Sequence, residues 1–170
     1  MLVERSRHSA GGTLAAAKHA LLDGGPANLA GGTHHGYARH GARNFPLGKE
    51  KSDLDIELTD GCTDTTYLTA LNSALSQLKT RFNTNFSLYL AGADPHENDR
   101  LGRLKLTAEG LQLRDQKVFA WLLKYRIPSV MVMAGGYGLD VEETVTLQLN
   151  SYRAALTHYA KWKYMKTLQA

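Results

Sequence analysis

The stretch "IPSVMVMAGGYG", residues 127–138, places a short run of Val and Met residues between a proline and a glycine turn. A continuous apolar run of this length, rich in valine and bounded by turn residues, is typical of a buried strand. Buried strands of this kind belong to parallel sheets that helices cover. The stretch therefore predicts an α/β fold, and 170 residues suffice for a single domain over 1–170.

Helices are predicted on both sides of this strand along the chain. Apolar residues at three- and four-residue steps predict a helix from Thr63 to Phe82, and Thr107 with Gly110 opens a second one. Asp140 is a predicted N-cap of a long third helix, with Glu143 three residues on. Strands that alternate with helices predict a parallel sheet with crossover connections. The other predicted elements are an alanine-rich helix over Thr13–Leu22, a strand end in "PANLAGG", a half-exposed strand in "LDIEL" (residues 54–58) and a buried strand in "NFSLYLAG" (residues 85–92).

Three predicted strand ends carry a glycine turn followed by a chemically active side chain. They are "AGGTHH" with His34 and His35, "LAGADPHEND" with Asp94, and "AGGYG" with Tyr137. Side chains beyond the carboxyl ends of parallel strands meet in one crevice. Imidazoles, a carboxylate and a phenol together suit metal-assisted hydrolysis of an amide or ester. Taken singly, the histidines also fit a polar surface or core hydrogen bonds, Asp94 fits a turn, and Tyr137 fits simple packing.

The glycines before the tyrosine form a further predicted part of this site. Gly135 and Gly136 lack a β-carbon, so their backbone can approach a bound molecule closely. We therefore assign both residues to substrate binding.

Four segments of the chain resemble one protein family, in the order in which that family carries them. The segments are "GGTHHGYARHG", "NFPLGKEKSDLDIEL", "LAGADPHENDRLGRLKLT" and "AGGYG". They resemble the histone deacetylase superfamily, which includes acetoin-utilisation proteins and acetylpolyamine amidohydrolases. The resemblance runs from "GGTLAAA" to the helix after "AGGYGLDVEETV". It implies an arginase-like, deacetylase-like α/β fold and a metal-dependent deacetylase that uses zinc or ferrous iron on acetyl-lysine, acetylated polyamines or related amides.

The resemblance also implies a role for each matching residue. His34 and His35 correspond to the tandem histidines that activate the attacking water and protonate the leaving amine. Asp94 corresponds to one of three metal ligands. Tyr137 corresponds to the tyrosine that polarises the acyl carbonyl and stabilises the oxyanion.

The chain departs from the family pattern after Gly41. Relatives continue there through a strand and an Asp-x-His motif that supplies two more metal ligands, whereas Gly41 is followed directly by "ARNFPLGKEKSD". An N-terminal strand and a substrate-rim segment expected before "GGTLAAA" are also missing, so the predicted fold is a truncated one. Because a catalytic zinc needs three protein ligands, Asp94 alone is not a site. The Asp-x-His spacing recurs at Asp94 and His96, with Glu97 and Asp99 nearby, but relatives often carry a histidine at the position of His96 without using it as a ligand.

Two functions therefore stay open. One is a deacetylase-family hydrolase of acetylated amines, and the other is a non-catalytic remnant that at most self-associates or binds partners. The strands ending at "AGGTHH", "AGGYG" and "LAGADP" are expected to be neighbours, and "LDIEL" then loses its partner strands. An exposed sheet edge of this kind predicts self-association.

Composition narrows the remaining classes of function. The net charge is +4, but 20 basic and 16 acidic residues mix without a long basic stripe, so we do not predict a nucleic-acid partner. A basic and aromatic segment near the C-terminus fits either a phosphate-binding surface or a solvated final helix. Its members are Lys161, Trp162, Lys163, Tyr164 and Lys166.

The compartment is predicted from what the sequence lacks. No run approaches the length of a membrane span, and the N-terminus has no signal-peptide pattern, which predicts a cytoplasmic protein with no membrane partner. Cys62 has no second cysteine to pair with, and we interpret it as an incidental thiol.

Overall fold

The computed structural model describes residues 27–29, 54 and 56–168. This part of the chain forms three strands and three long helices that alternate after the first strand. The strands are β1 (Ala27–Leu29), β2 (Ser87–Leu90) and β3 (Ser129–Val132). The helices are α1 (Asp64–Arg81), α2 (Ala108–Lys124) and α3 (Val141–Thr167).

The sheet is parallel, and β3 lies at its centre in the order β1-β3-β2. All four residues of β3 are buried, and β3 is paired with a neighbouring strand on each of its edges. In register, Val132 lies opposite Leu29 of β1 and Leu90 of β2. The α/β class, the parallel sheet and the neighbour order predicted for the three strand ends are all confirmed.

The helices pack together on one face of the sheet. Met131 of β3 and Ala91 after β2 point into a core that contains α2 residues Val118 and Phe119 and reaches Ala155 of α3. The ring of Phe119 meets Tyr89 of β2 edge-on, with the ring centroids 5.6 Å apart, which is a favourable aromatic geometry. A second apolar cluster includes Ala93 of the loop after β2. Its buried members are Ala93, Leu106, Leu111 and Leu147.

The predicted N-cap Asp140 is present and accepts a hydrogen bond from the N–H of Glu142. Thr107, predicted only to open a helix, also caps it, since its hydroxyl accepts a hydrogen bond from the Gly110 backbone N–H. The carboxylate of Glu143 does not close a capping box but accepts hydrogen bonds from the Asn98 amide, at 3.1 Å from each oxygen. This contact ties the start of α3 to the loop after β2.

Two predicted strands need correction. Residues 56–58 of the "LDIEL" segment form no strand, since no described strand lies beside them to complete a hydrogen-bonded ladder. β2 is present, but it is not fully buried: Leu88 and Leu90 are about half exposed, because β2 is an edge of the described sheet. The predicted helix Thr13–Leu22 lies outside the described residues. None of the described helices combines the length and apolar character that crossing a membrane requires.

Candidate functional site

Asp94 lies where the loops after β2 and β3 touch. The Ala93 N–H donates to the Gly135 carbonyl at 2.7 Å and joins the two loops. A β-carbon on Gly92 would lie 2.1 Å from Oδ1 of Asp94, and one on Gly135 would lie 3.0 Å from the same atom. The carboxylate of Asp94 therefore occupies space that two glycines leave open. Close packing around this side chain is the physical reason for glycine at both positions.

Tyr137 follows on the same loop, with its backbone held and its side chain exposed. Its N–H donates to Oδ2 of Asp99 at 2.6 Å, and its carbonyl accepts from the backbone N–H and Nε of Arg100, both at 3.1 Å. The residue is 54% exposed. A β-carbon on Gly136, just before it, would lie 3.2 Å from the side chains of Ala93 and Thr144, so the loop runs close to the start of α3. The loop thus fixes the tyrosine backbone and leaves the phenol to meet solvent or a ligand.

The acidic and imidazole groups near Asp94 are used to shape the loop. Oδ1 of Asp99 accepts from the N–H groups of Leu101 and Gly102, at 2.8 and 2.6 Å. With Oδ2 held by Tyr137, both oxygens of this buried carboxylate are engaged. His96 is 5% exposed, its Nδ1 accepts from the Asn98 N–H at 3.4 Å, and the same atom lies 3.9 Å from Glu143. His96 and Asp99 therefore serve as internal supports of the loop.

A buried ion pair lies behind the Asp94 loop. Nη1 of Arg114 donates to the Gly92 carbonyl at 2.7 Å, and its Nε and Nη2 contact Oδ1 of Asp115 at 2.9 and 2.8 Å. Asp115 also accepts hydrogen bonds from the hydroxyl groups of Tyr89 and Ser151. Each nitrogen of the guanidinium has a partner and both carboxylate oxygens accept hydrogen bonds, so the burial of the pair is compensated, and the pair fixes the backbone two residues before Asp94.

Burial also sets the protonation of the tyrosines around this pair. Burial raises the pKa of Tyr89 well above 10. Burial also raises the pKa of Tyr67. The positive charge of Arg114 lowers the pKa of Tyr67, and the negative charges of Asp115 and Asp94 raise it further. Both phenols are therefore neutral near pH 7. A neutral Tyr89 is what the contact with Asp115 requires, since a phenol donates this hydrogen bond only when protonated.

Sequence reasoning predicted that Asp94 and Tyr137 lie beyond neighbouring strand ends, where the structure brings their loops together, but it missed the residues that support them. The signal for Arg114 and Asp115 was present: they lie in the same helical turns as Leu111 and Val118, on the buried face of α2. Two adjacent charges on an apolar helix face indicate a buried pair. His34 and His35 lie outside the described residues.

The described residues do not by themselves fit a catalytic metal ion. Across 54 and 56–168, no three His, Cys, Asp or Glu side chains are grouped so that they could hold one. Asp94 offers a carboxylate, while His96 and Asp99 are committed to the loop. Cys62 is buried and its pKa is raised by burial, which disfavours the thiolate that binds metals.

Comparison with known proteins decides the family. Residues 46–152, more than half of the chain, match the model of the histone deacetylase domain. This chain belongs to the histone deacetylase family.

Relatives and a solved structure agree with this assignment. An uncharacterised protein of Picosynechococcus sp. is 28% identical over 214 residues, covering 94% of this chain and 69% of its own length. Histone deacetylase 2 of Arabidopsis thaliana is 38% identical over 85 residues, which is 50% of this chain and 22% of that protein. The crystal structure of acetylpolyamine aminohydrolase from Burkholderia pseudomallei superposes with a TM-score of 0.53 at 20% identity, over 80% of this chain and 45% of that one. The last comparison shows the deacetylase fold.

This family member is short relative to these proteins. It spans under half of the solved structure and about a fifth of the plant protein. The match to the Picosynechococcus protein runs over 214 residues but takes in 94% of this chain's 170, which is about 160, so about 54 positions of the match stand opposite gaps in this chain. Their total length is sufficient for the internal block predicted to be missing after Gly41.

Proposed function

We propose that this chain is a hydrolase of acetylated amines, of the chemical class of acetyl-lysine or an acetylated polyamine. The main structural support for this proposal is that the Asp94 loop and the Gly135–Tyr137 loop are joined by a hydrogen bond at the carboxyl ends of neighbouring strands. Family membership supports the reaction class, and the names of two matched proteins, a histone deacetylase and an acetylpolyamine aminohydrolase, support the substrate class.

In this proposal, different residues of the chain act on the acyl oxygen, the attacking water and the leaving amine. The exposed phenol of Tyr137 donates a hydrogen bond to the acyl oxygen as negative charge develops on it. The backbone at Gly135 and Gly136 lies along the acyl group. His34 and His35 take the proton from the attacking water and deliver one to the leaving amine. Zinc or ferrous iron is the family's expected cofactor, but because the described residues do not fit such an ion, we assign no step to it.

A second candidate function is favoured by one specific observation. The sequence contains one Asp-x-His spacing, at Asp94 and His96, and His96 is buried and bonded within its own loop. A family member that has the aspartate corresponding to Asp94 but lacks the separate Asp-x-His motif is non-catalytic. One carboxylate does not hold a metal ion that lowers the pKa of a bound water.

Acetate release separates the two candidates. The purified chain is incubated with an acetyl-lysine peptide and with an acetylated diamine, with and without added zinc or ferrous iron, and bound metal is counted by mass spectrometry. Hydrolysis predicts acetate release that falls by about 10²-fold or more in Tyr137→Phe, the cost of losing one oxyanion donor. Tyr164→Phe, at another exposed tyrosine, is the matched control and keeps full activity. A folded chain with no bound metal and no acetate release establishes the non-catalytic function.

A further inference from the structure

The charged residues of the three helices are sorted along the helix axes. Acidic residues stand in the first turns, with Asp64 in α1, Glu109 in α2, and Glu142 and Glu143 in α3. No acidic residue stands in the second half of any of these helices, where lysine and arginine take their place. Six exposed members of this second group, which we call the basic end, are Lys79, Arg81, Lys124, Lys161, Lys163 and Lys166.

The fold brings these residues to the same end of the molecule. Near the starts of α2 and α3, Leu111 and Leu147 share one apolar cluster, and further along the rings of Phe119 and His158 lie 5.5 Å apart. The two helices therefore run in the same direction. Lys124 and Lys163 follow Phe119 and His158 by equal numbers of residues, so helical rise carries both lysines to the same level. This level is at the end of the sheet opposite the candidate site.

Two lysines of the basic end converge on one aromatic ring. Nζ of Lys79, from the last turn of α1, lies 4.9 Å from the ring centroid of Tyr125, and Nζ of Lys124, from α2, lies 5.2 Å from it. Within the described part of the chain, no carboxylate pairs with either ammonium group. A lysine at a helix C-terminus is favoured by the helix dipole, but that effect does not require two like charges over one ring. A bound anion would relieve their repulsion.

Exposed tyrosines alternate with the lysines of the basic end. Tyr164 is 66% exposed, and Tyr159 is 37% exposed, with Nζ of Lys163 5.8 Å from its ring centroid. In proteins that bind single-stranded nucleic acid, cations meet the phosphates and aromatic rings stack on the bases. An acidic peptide would use only the cations. A helix that binds a membrane lies along it on an apolar face, whereas here three helices present their ends.

We propose that the basic end binds single-stranded nucleic acid. The lysines of the three helices contact phosphates of one strand, and Tyr164 stacks on a base. Packed helices lie about 8–10 Å apart, so the three helix ends span roughly 20 Å, enough for a few nucleotides. The sequence shows no basic stripe because these cations come from three separate helices. The binding does not depend on the proposed hydrolysis and holds for either candidate function.

Fluorescence anisotropy with labelled oligothymidine of about 20 nucleotides, longer than the ~4–16 that a small domain covers, tests the proposal on the full chain. Binding is expected, and the logarithm of the binding constant falls with the logarithm of salt concentration with a slope of about −3, as for four or five neutralised phosphates. The double variant Lys79→Gln, Lys124→Gln is expected to bind about tenfold more weakly or worse, with a slope smaller by about 1.4.

The matched control removes two exposed cations from the other end of the molecule. Arg103→Gln combined with Lys105→Gln lowers the net charge by the same amount, and its affinity for oligothymidine is expected to stay within about twofold of the unmodified chain's. Circular dichroism confirms that both double variants fold. Equal losses in the two double variants would show that the binding is not located at the basic end, and would overturn the proposal.

Stacking is tested at constant charge. Tyr164→Ser is expected to weaken binding by about tenfold and to leave the salt slope unchanged. Oligouridine of the same length shows which sugar is preferred, and binding of either oligomer supports the proposal. The proposal is overturned if neither oligomer binds at low salt, if Tyr164→Ser binds as the unmodified chain does, or if vesicles of anionic phospholipid or polyglutamate bind more tightly than both oligomers.

Discussion

At the scale of single residues, Asp115 accepts most of the hydrogen bonds beneath the Asp94 loop. Its two oxygens satisfy the Arg114 guanidinium and the hydroxyls of Tyr89 and Ser151, and the residue is 1% exposed. Without this acceptor, the buried guanidinium of Arg114 loses its counter-ion. The position of Gly92, and with it Asp94, therefore depends on a residue of α2 rather than on the loop's own sequence.

Replacing this carboxylate is the first prediction. Asp115→Ala leaves Arg114 buried and unpaired, so the free energy of unfolding is expected to fall by about 3–5 kcal/mol. Urea denaturation measures the loss. The control is Asp60→Ala, which removes another Asp–Arg pair: Asp60 and Arg103 are 3.1 Å apart, but their side chains are 62% and 43% exposed, so the expected loss is below about 1 kcal/mol. Equal losses in the two variants would contradict the role given to the buried pair.

At the scale of elements, the starts of α1 and α2 are joined by one side chain. Asp64, the first residue of α1, accepts from the N–H of Thr107 at 2.9 Å and from its hydroxyl at 2.7 Å. Gly110 lies against this contact, and a β-carbon there would be 1.9 Å from Oδ1 of Asp64. The packing of the two helix ends thus requires glycine here, although glycine has a poor helix propensity.

The second prediction separates packing from propensity at this position. Gly110→Ala favours the helix by about 1 kcal/mol intrinsically, but overpacking against Asp64 costs about 1–3 kcal/mol, so a net destabilisation is expected. In an Asp64→Ala background the clash is absent, and the same substitution is expected to stabilise the chain. Thermal unfolding of the four proteins of this double-mutant cycle measures the coupling. A stabilising Gly110→Ala in the unmodified chain would show that Asp64 does not hold this position.

At the scale of the whole molecule, the buried tyrosines make stability depend on alkaline pH. The pKa of Tyr89 in the folded chain lies well above the value of 10 that applies when the chain unfolds, and that of Tyr67 is also raised. The unfolded chain therefore releases these protons at lower pH than the folded chain. The contribution of both residues is complete below pH 10 and is lost as pH rises further, by about 1.4 kcal/mol per pH unit for each fully affected tyrosine.

The third prediction follows from the upward direction of these pKa shifts. The free energy of unfolding of the unmodified chain is expected to fall steeply above pH 10, whereas Tyr89→Phe, though less stable near neutral pH, loses less in this range. Urea denaturation at a series of alkaline pH values gives both curves. Tyr164→Phe, at an exposed tyrosine, is expected to follow the unmodified chain. Parallel curves for Tyr89→Phe and the unmodified chain would contradict the burial of a neutral phenol at Asp115.

Local sequence pattern was sufficient to predict most of the described elements and the family. The apolar run of β3, the helical spacing of α1 and the caps Thr107 and Asp140 depend on residues within a few positions of one another, so they can be read from local pattern. It also identified Asp94 and Tyr137 as residues that follow strand ends, and family membership was later shown by the matched domain.

The tertiary structure alone decided how these elements are supported. Three features depend on contacts between residues distant in the chain: Arg114 holds the carbonyl of Gly92, Gly135 makes room for Asp94, and β2 is an edge of the sheet that the described residues form. Local pattern carries no information about which distant partner a side chain meets. Strand pairing and close packing are settled only when the whole sheet and its helices assemble.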